Sequence, residues 1–221
     1  MKQSAVTSFS DVDAGSGASR TLMRSATMPA GGGGAALGLV IIDGESPPGF
    51  DRAIDWLAVD RLPNFRLEGP VALVAGWLDS VSKTPGLLSA QAWIVADVAA
   101  RARRFADMTG TMHLALKLEV IHDDACRKLH HDYVAHRLVC TYRGPGTQWL
   151  PRAHEAALGD ERDAVPDDWL MAVPRFAAAL FTGVLLPGSR PVLHRSPPIA
   201  GTGALRLVLT INEPFTGRFR G

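Results

Sequence analysis

The sequence predicts an α+β chain, with helices first and short antiparallel strands after them. Three observations carry this. In the first half, apolar residues recur at helical spacing, most clearly at Ile94, Val98, Ala102 and Phe105. At Met112 the period drops to two: Met112, Leu114, Leu116, Leu118 and Val120 alternate with His113, Ala115, Lys117 and Glu119. Beyond that point the apolar runs are short and separated by Gly and Pro, as at Gly144-Pro145-Gly146, Pro187-Gly188 and Pro197-Pro198. Short strands with such turns point to a barrel or a sandwich.

Taken in order, residues 1–34 are rich in Ser, Thr, Ala and Gly and end in four glycines, Gly31 to Gly34. They lack the apolar periodicity to fold alone, so a disordered segment is expected. The remainder, 35–221, reads as one globular domain, with 35–110 mainly helical support and 111–221 the β core. Leu37 to Ile42 is a short buried strand closed by Asp43-Gly44 and Pro47-Pro48. Asp51 to Val59 follows as a helix stopped by Pro63, and Val71 to Val81 as a second. A longer third helix starts near Ser89, a plausible N-cap, and ends at Thr109-Gly110. Its Asp97, Arg101 and Arg104 lie off the apolar face. After the strand at Met112, Arg137 to Tyr142 is a second strand, and 151–169 a polar, acidic loop. Ala178 to Leu186 is a third strand and Val192 to Ser196 a short extended piece. Leu205, Leu207, Leu209 and Ile211 mark the last strand.

Composition excludes several function classes. A 47% hydrophobic, 20% charged chain of 221 residues can bury a sizeable core. Its net charge of +1 gives no electrostatic case for nucleic acid or an anionic membrane. Two cysteines, Cys126 and Cys140, are too few for a disulfide framework and favour a reducing compartment, so a cytoplasmic protein is expected. The longest apolar run falls far short of the roughly 20 residues that a membrane span needs. The Gly tract lacks the Lys-Ser/Thr of a phosphate loop, and Ser196 lacks a nucleophile elbow.

The chemistry-bearing residues gather between Leu129 and Leu150, with partners downstream. His130 and Asp132 are two apart, so on an extended chain their side chains point the same way. His194 sits in another extended piece. Two histidines and a carboxylate form a facial triad that leaves coordination positions open, the arrangement of non-haem Fe(II) oxygenases. His131 competes as the first ligand, although its parity turns it away. Arg206 lies on a strand of apolar and small residues, where a guanidinium needs an anion. Tyr142 and Thr210 are candidates to hydrogen-bond that same anion. The bland alternatives are a structural His194, an Arg206 paired with Glu119 or Asp132, and a buried strand cysteine at Cys126.

Two resemblances follow from these motifs. CRKLHHDYVAHRLVCTYRGPGTQWLP from Cys126, HRSPPI from His194 and RLVLTI from Arg206 resemble the hallmark of a bacterial family known as domain of unknown function 1826. Members of that family tend to be associated with zinc-homeostasis genes. The order H-x-D, strand, Gly-containing turn, distal His and then Arg is similar to the prolyl-hydroxylase-like branch of the Fe(II)/2-oxoglutarate dioxygenases. That likeness implies a double-stranded β-helix (jelly-roll, cupin-like) core with N-terminal helices packed on it. It implies iron on His130, Asp132 and His194, and 2-oxoglutarate on Arg206 helped by Tyr142, with a small-molecule or peptide substrate. The turn here departs from the usual Gly-Gly-Glu-Thr. The rival expectation is a non-catalytic, cupin-like zinc-binding protein using the same ligands and perhaps Cys126.

Overall fold

The computed structural model describes residues 38–155, 157–158 and 165–214, and the backbone of a short strand at residues 6–8. Its strands are β1 (Val6–Ser8), β2 (Leu39–Ile42), β3 (Phe65–Pro70), β4 (His113–Ile121), β5 (His136–Arg143), β6 (Gln148–Trp149), β7 (Met171–Ala172), β8 (Ala178–Thr182), β9 (His194–Arg195) and β10 (Arg206–Asn212). The helices are α1 (Phe50–Trp56), α2 (Val71–Ser82), α3 (Ser89–Thr109) and α4 (Arg152–Glu155). Seven strands form one sheet in the order β1-β2-β8-β5-β10-β4-β3, and β7-β6-β9 form a second. Every pairing is antiparallel. Among the described residues no helix is long and apolar enough to cross a membrane.

The period of two sorts the large sheet into two faces. Leu114, Leu116 and Leu118 of β4, Leu138, Cys140 and Tyr142 of β5, and Leu207, Leu209 and Ile211 of β10 share one core with α2 and α3. Ile94, Val98, Ala102 and Phe105 of α3 are fully buried in that core, as their helical spacing predicts. Truncating a side chain such as Phe105 to alanine there costs about 3–5 kcal/mol. On the other face, Val139, Val208, Phe181 and Leu39 form a second cluster with Trp149 of the small sheet. The alternation that packs the helices therefore also turns Arg206, Thr210 and Arg137 away from them and into a cavity.

Several expectations change. The supposedly helical support contains β3, whose Phe65 and Leu67 alternate with exposed Arg66 and Glu68. Six residues after Pro63 were too few for a period of two to stand out. The helix at Asp51 ends at Trp56, short of Val59, and Trp56 is 87% exposed. Helix α3 begins on Ser89 itself. Its entry is held by Gln91, whose Oε1 accepts from the Leu88 N–H at 2.8 Å. Arg101, off the apolar face, is buried all the same. The strand at Ala178 stops at Thr182, because Gly183 turns under the backbone of Val134, where a Cβ would be 2.2 Å from the carbonyl oxygen. Cys126 is exposed in a turn with φ 57°, not buried in a strand. Within the segment expected to be disordered, Val6–Ser8 pairs with β2; the rest of 1–34 lies outside the described residues.

Candidate metal and anion site

The first histidine and the last are joined by the backbone. His130 N–H donates to His194 O at 3.0 Å and His194 N–H to His130 O at 3.1 Å, an isolated antiparallel bridge. Residues directly opposite in such a bridge place their side chains on the same side. The two imidazole rings accordingly lie 4.7 Å apart, and Phe181 stacks on His194 at 4.1 Å. Asp132, two residues on, is 4% exposed and turns to the same point. One ligand atom from each of His130, Asp132 and His194 lies within 4.8 Å of the other two. His131 is exposed and stands outside this group.

The ring nitrogens show what the group can do. His130 Nδ1 is 2.9 Å from Lys128 O, and His194 Nδ1 is 3.0 Å from Val192 O. A carbonyl only accepts, so each Nδ1 carries the proton, and in the neutral ring each Nε2 presents a lone pair inward. Backbone fixing of the outer nitrogen is how metal-ligating histidines are oriented. His194 Nε2 stands 3.1 Å from Asp132 Oδ2, an oxygen that is buried with no hydrogen-bond partner among the described residues. Two acceptors facing each other need a cation or a proton between them. The donor set therefore fits a divalent metal ion. Burial pushes the Asp132 carboxyl up, but in the metal-free site His194 and His130 when protonated, together with Arg137, outweigh it and hold it below the usual carboxylate range.

Arg206 forms the second part of the site. It is 1% exposed and lies on the cavity face of β10. Its Nε donates to Pro145 O at 2.8 Å, Nη1 to Ser196 Oγ at 2.9 Å, and Nη2 to Thr147 Oγ1 at 3.2 Å and Thr141 Oγ1 at 3.4 Å. All are neutral. The carboxylates considered as partners are engaged elsewhere: Glu119 with Lys117 at 2.5 Å and Asp132 with Arg137 at 2.5 Å. Burial alone pulls the Arg206 pKa down to about 10. The Gly-Pro-Gly turn shapes this seat. Gly144 has φ 79°, and a Cβ there would be 2.3 Å from Leu205 O and 3.1 Å from the Arg206 side chain.

The cavity, of about 760 Å³, is lined by His130, His194, Arg206, Thr147, Arg137 and Thr210, among others. Tyr142 is absent from it. Its hydroxyl donates to Asp97 Oδ2 at 2.6 Å, and its ring packs edge-on to Trp93 on the helix side. The reason is parity: Tyr142 follows Leu138 and Cys140, which face the helices, while Thr141 faces Arg206. A register shift of β5 against β10, with Leu207 opposite Arg143 and Val208 opposite Thr141, passes over Tyr142. Thr210 lies in the cavity, but four residues along β10 from Arg206, a rise of about 14 Å. Sequence reasoning missed Arg137, Thr141, Thr147 and Ser196. For Thr141 and Arg137 the signal was there, in the alternation of RLVCTY.

Comparison with solved structures finds low similarity. The dioxygenase for auxin oxidation 1 of Arabidopsis thaliana, in its 2-oxoglutarate complex, aligns over 75% of this chain and 72% of its own, with 9% identity and a TM-score of 0.37. A Pseudomonas putida prolyl-4-hydroxylase aligns over 77% and 97%, with 15% identity and a TM-score of 0.32. The truncated T7H of Neurospora crassa aligns over 76% and 71%, with 12% identity and a TM-score of 0.34. Similarity at this level leaves function to be argued from the site. No curated protein matches the chain. The sequence profile of one family matches residues 35–212, and the chain belongs to that family, described as protein of unknown function (DUF1826).

Proposed function

We propose that the protein is a non-haem Fe(II)/2-oxoglutarate-dependent oxygenase acting on a small-molecule or peptide substrate. On this reading the two unequal antiparallel sheets are the major and minor walls of a double-stranded β-helix, with α2 and α3 outside. One observation carries the proposal. The two histidines of a His-Asp-His group, with inward lone pairs, line the same cavity as a buried guanidinium that has no carboxylate partner among the described residues.

His130, Asp132 and His194 would hold the iron, which with 2-oxoglutarate and dioxygen would supply oxidation of a C–H bond coupled to decarboxylation to succinate. Arg206 would take the far carboxylate of 2-oxoglutarate, with Thr147, Thr141 and Ser196 already fixing the plane of its guanidinium. The carbonyls of Lys128 and Val192 keep the two imidazoles in the ligating tautomer. Phe181 covers one face of His194 and keeps water from it. The cavity exceeds what a five-carbon diacid fills, and the remainder is space for the substrate.

The test is an anaerobic titration of metal-free protein with Fe(II) and then 2-oxoglutarate. A visible charge-transfer band at one iron per chain is expected, absent in His194→Ala and weakened in Arg206→Ala. Tight zinc binding with no response to 2-oxoglutarate would move the protein to metal handling, where Arg206 has no role.

A further inference from the structure

Arg137 is the cavity residue whose bonding pattern sets it apart. Other buried or half-buried arginines spread their donors over several acceptors. Arg101 uses Asp97 and Phe176 O; Arg175 uses Tyr142 O, Asp55 and Asp51 O; Arg206 uses four neutral oxygens. Arg137 has one partner among the described residues, Asp132 Oδ1, reached by Nη1 at 2.5 Å. Its Nε is buried with no acceptor among the described residues. Its neighbour Leu138 faces the helices, so Arg137 faces the cavity, beside the candidate metal ligands. Its one side-chain tie among the described residues is to the buried Asp132 carboxylate. Arg137 is placed to act on the carboxylate.

We propose that Arg137 is a positioning residue that restricts Asp132 to one-oxygen ligation and so keeps a coordination position open for the 2-oxo acid. The inference rests on the oxygenase reading above. The geometry gives the two carboxylate oxygens different tasks. Oδ1 is held by the guanidinium, while Oδ2 points at His194 Nε2, 3.1 Å away, where the histidine lone pair also converges. Besides Arg137, Oδ1 has His130 Nε2 at 3.8 Å. Without Arg137, nothing would stop Asp132 from turning both oxygens to one ion. Charge points the same way. Two neutral imidazoles, one carboxylate and one guanidinium sum to zero, so a divalent ion keeps its full charge toward a dianionic chelator. Removing the guanidinium lowers that charge by one unit. Orienting groups behind metal ligands are typically worth about 10–100-fold in affinity or activity.

The experiment uses Co(II) as a spectroscopic stand-in for Fe(II), on the full chain and on Arg137→Gln and Arg137→Lys. Two quantities are read: the visible spectrum at Co(II) saturation, and the 2-oxoglutarate Kd from the spectral change. Arg137→Gln is expected to saturate with Co(II) but with an altered spectrum, and to bind 2-oxoglutarate about tenfold or more weakly. Arg137→Lys, which keeps the charge, is expected to recover part of that affinity. Wild-type spectrum and affinity in Arg137→Gln would overturn the inference while leaving the oxygenase reading intact. A folded Arg137→Gln that no longer binds Co(II) would also overturn it, since Arg137 would then only hold Asp132 in place. A wild-type Co(II) spectrum that ignores 2-oxoglutarate would bring down the oxygenase reading itself.

Discussion

Two arginines are buried on opposite sides of the large sheet, and their surroundings are completed differently. Arg101, on the helix side, meets Asp97 at 2.5 Å and Phe176 O at 2.7 Å, and Asp97 also takes the Tyr142 hydroxyl. Burial works against its charge, but Cys140, Tyr142 and Asp97 together raise its pKa above the ordinary arginine value. Arg206, on the cavity side, has only hydroxyl and carbonyl oxygens among the described residues, and burial alone acts on it. A buried charge with an internal counter-ion is part of the scaffold. One without it, open to a cavity, leaves the counter-charge to be supplied from outside.

The largest expected effect would break this contrast outright. In denaturant unfolding without ligand, Arg101→Met should lose about 3 kcal/mol, because it leaves the half-buried Asp97 without its cation and the Phe176 carbonyl without its donor. Arg206→Met should stay within about 1 kcal/mol of wild type, since it removes an uncompensated charge. Equal losses would make both arginines scaffold. Next, 2-oxoglutarate added to zinc-loaded protein at a hundredfold excess over its Kd should stabilise wild type by about 2.7 kcal/mol and leave Arg206→Met unmoved. Thermal shift reads this directly. A smaller effect is expected on the helix side: Tyr142→Phe should cost about 1.5 kcal/mol through its lost bond to Asp97. Its 2-oxoglutarate affinity should be unchanged, and a weakened one would return Tyr142 to the cavity. Smallest of all, Thr210→Val should stay within about 0.5 kcal/mol of wild type and about twofold in 2-oxoglutarate affinity, as surface-like substitutions do.

The same contrast explains what was legible in the sequence. His130 and Asp132 could be placed together because a spacing of two fixes a shared direction wherever the chain is extended. Arg206 stood out because it interrupts an apolar strand, and it lines the cavity. Tyr142 was misjudged because its position at a strand end suggested the site, whereas its parity with Leu138 and Cys140 assigned it to the helix side. Arg101 reads only as lying off the apolar face, because helical spacing alone does not show that Asp97, one turn back, and a loop carbonyl would bury it. The partners of Arg206 come from three separate segments, at Thr141, Pro145 to Thr147, and Ser196. No local pattern announces a convergence made only by sheet pairing. Strand β3 was hidden for a related reason: its pairing to β4, not any strong local preference, makes it a strand.

The backbone bridge between His130 and His194 has a consequence best stated in the language of chain statistics. Bringing together two points separated by the whole stretch from 130 to 194 costs an unfolded chain loop-closure entropy, which grows slowly with length, by about 0.6 kcal/mol for each doubling. In the folded protein two amide hydrogen bonds have already closed that loop, before any ion arrives. An ion would therefore meet its first and last ligands as near neighbours rather than as distant segments to be gathered. Affinity for metal should then belong to the fold and vanish with it, and the amide protons of residues 130 and 194 should exchange with solvent more slowly when an ion is held.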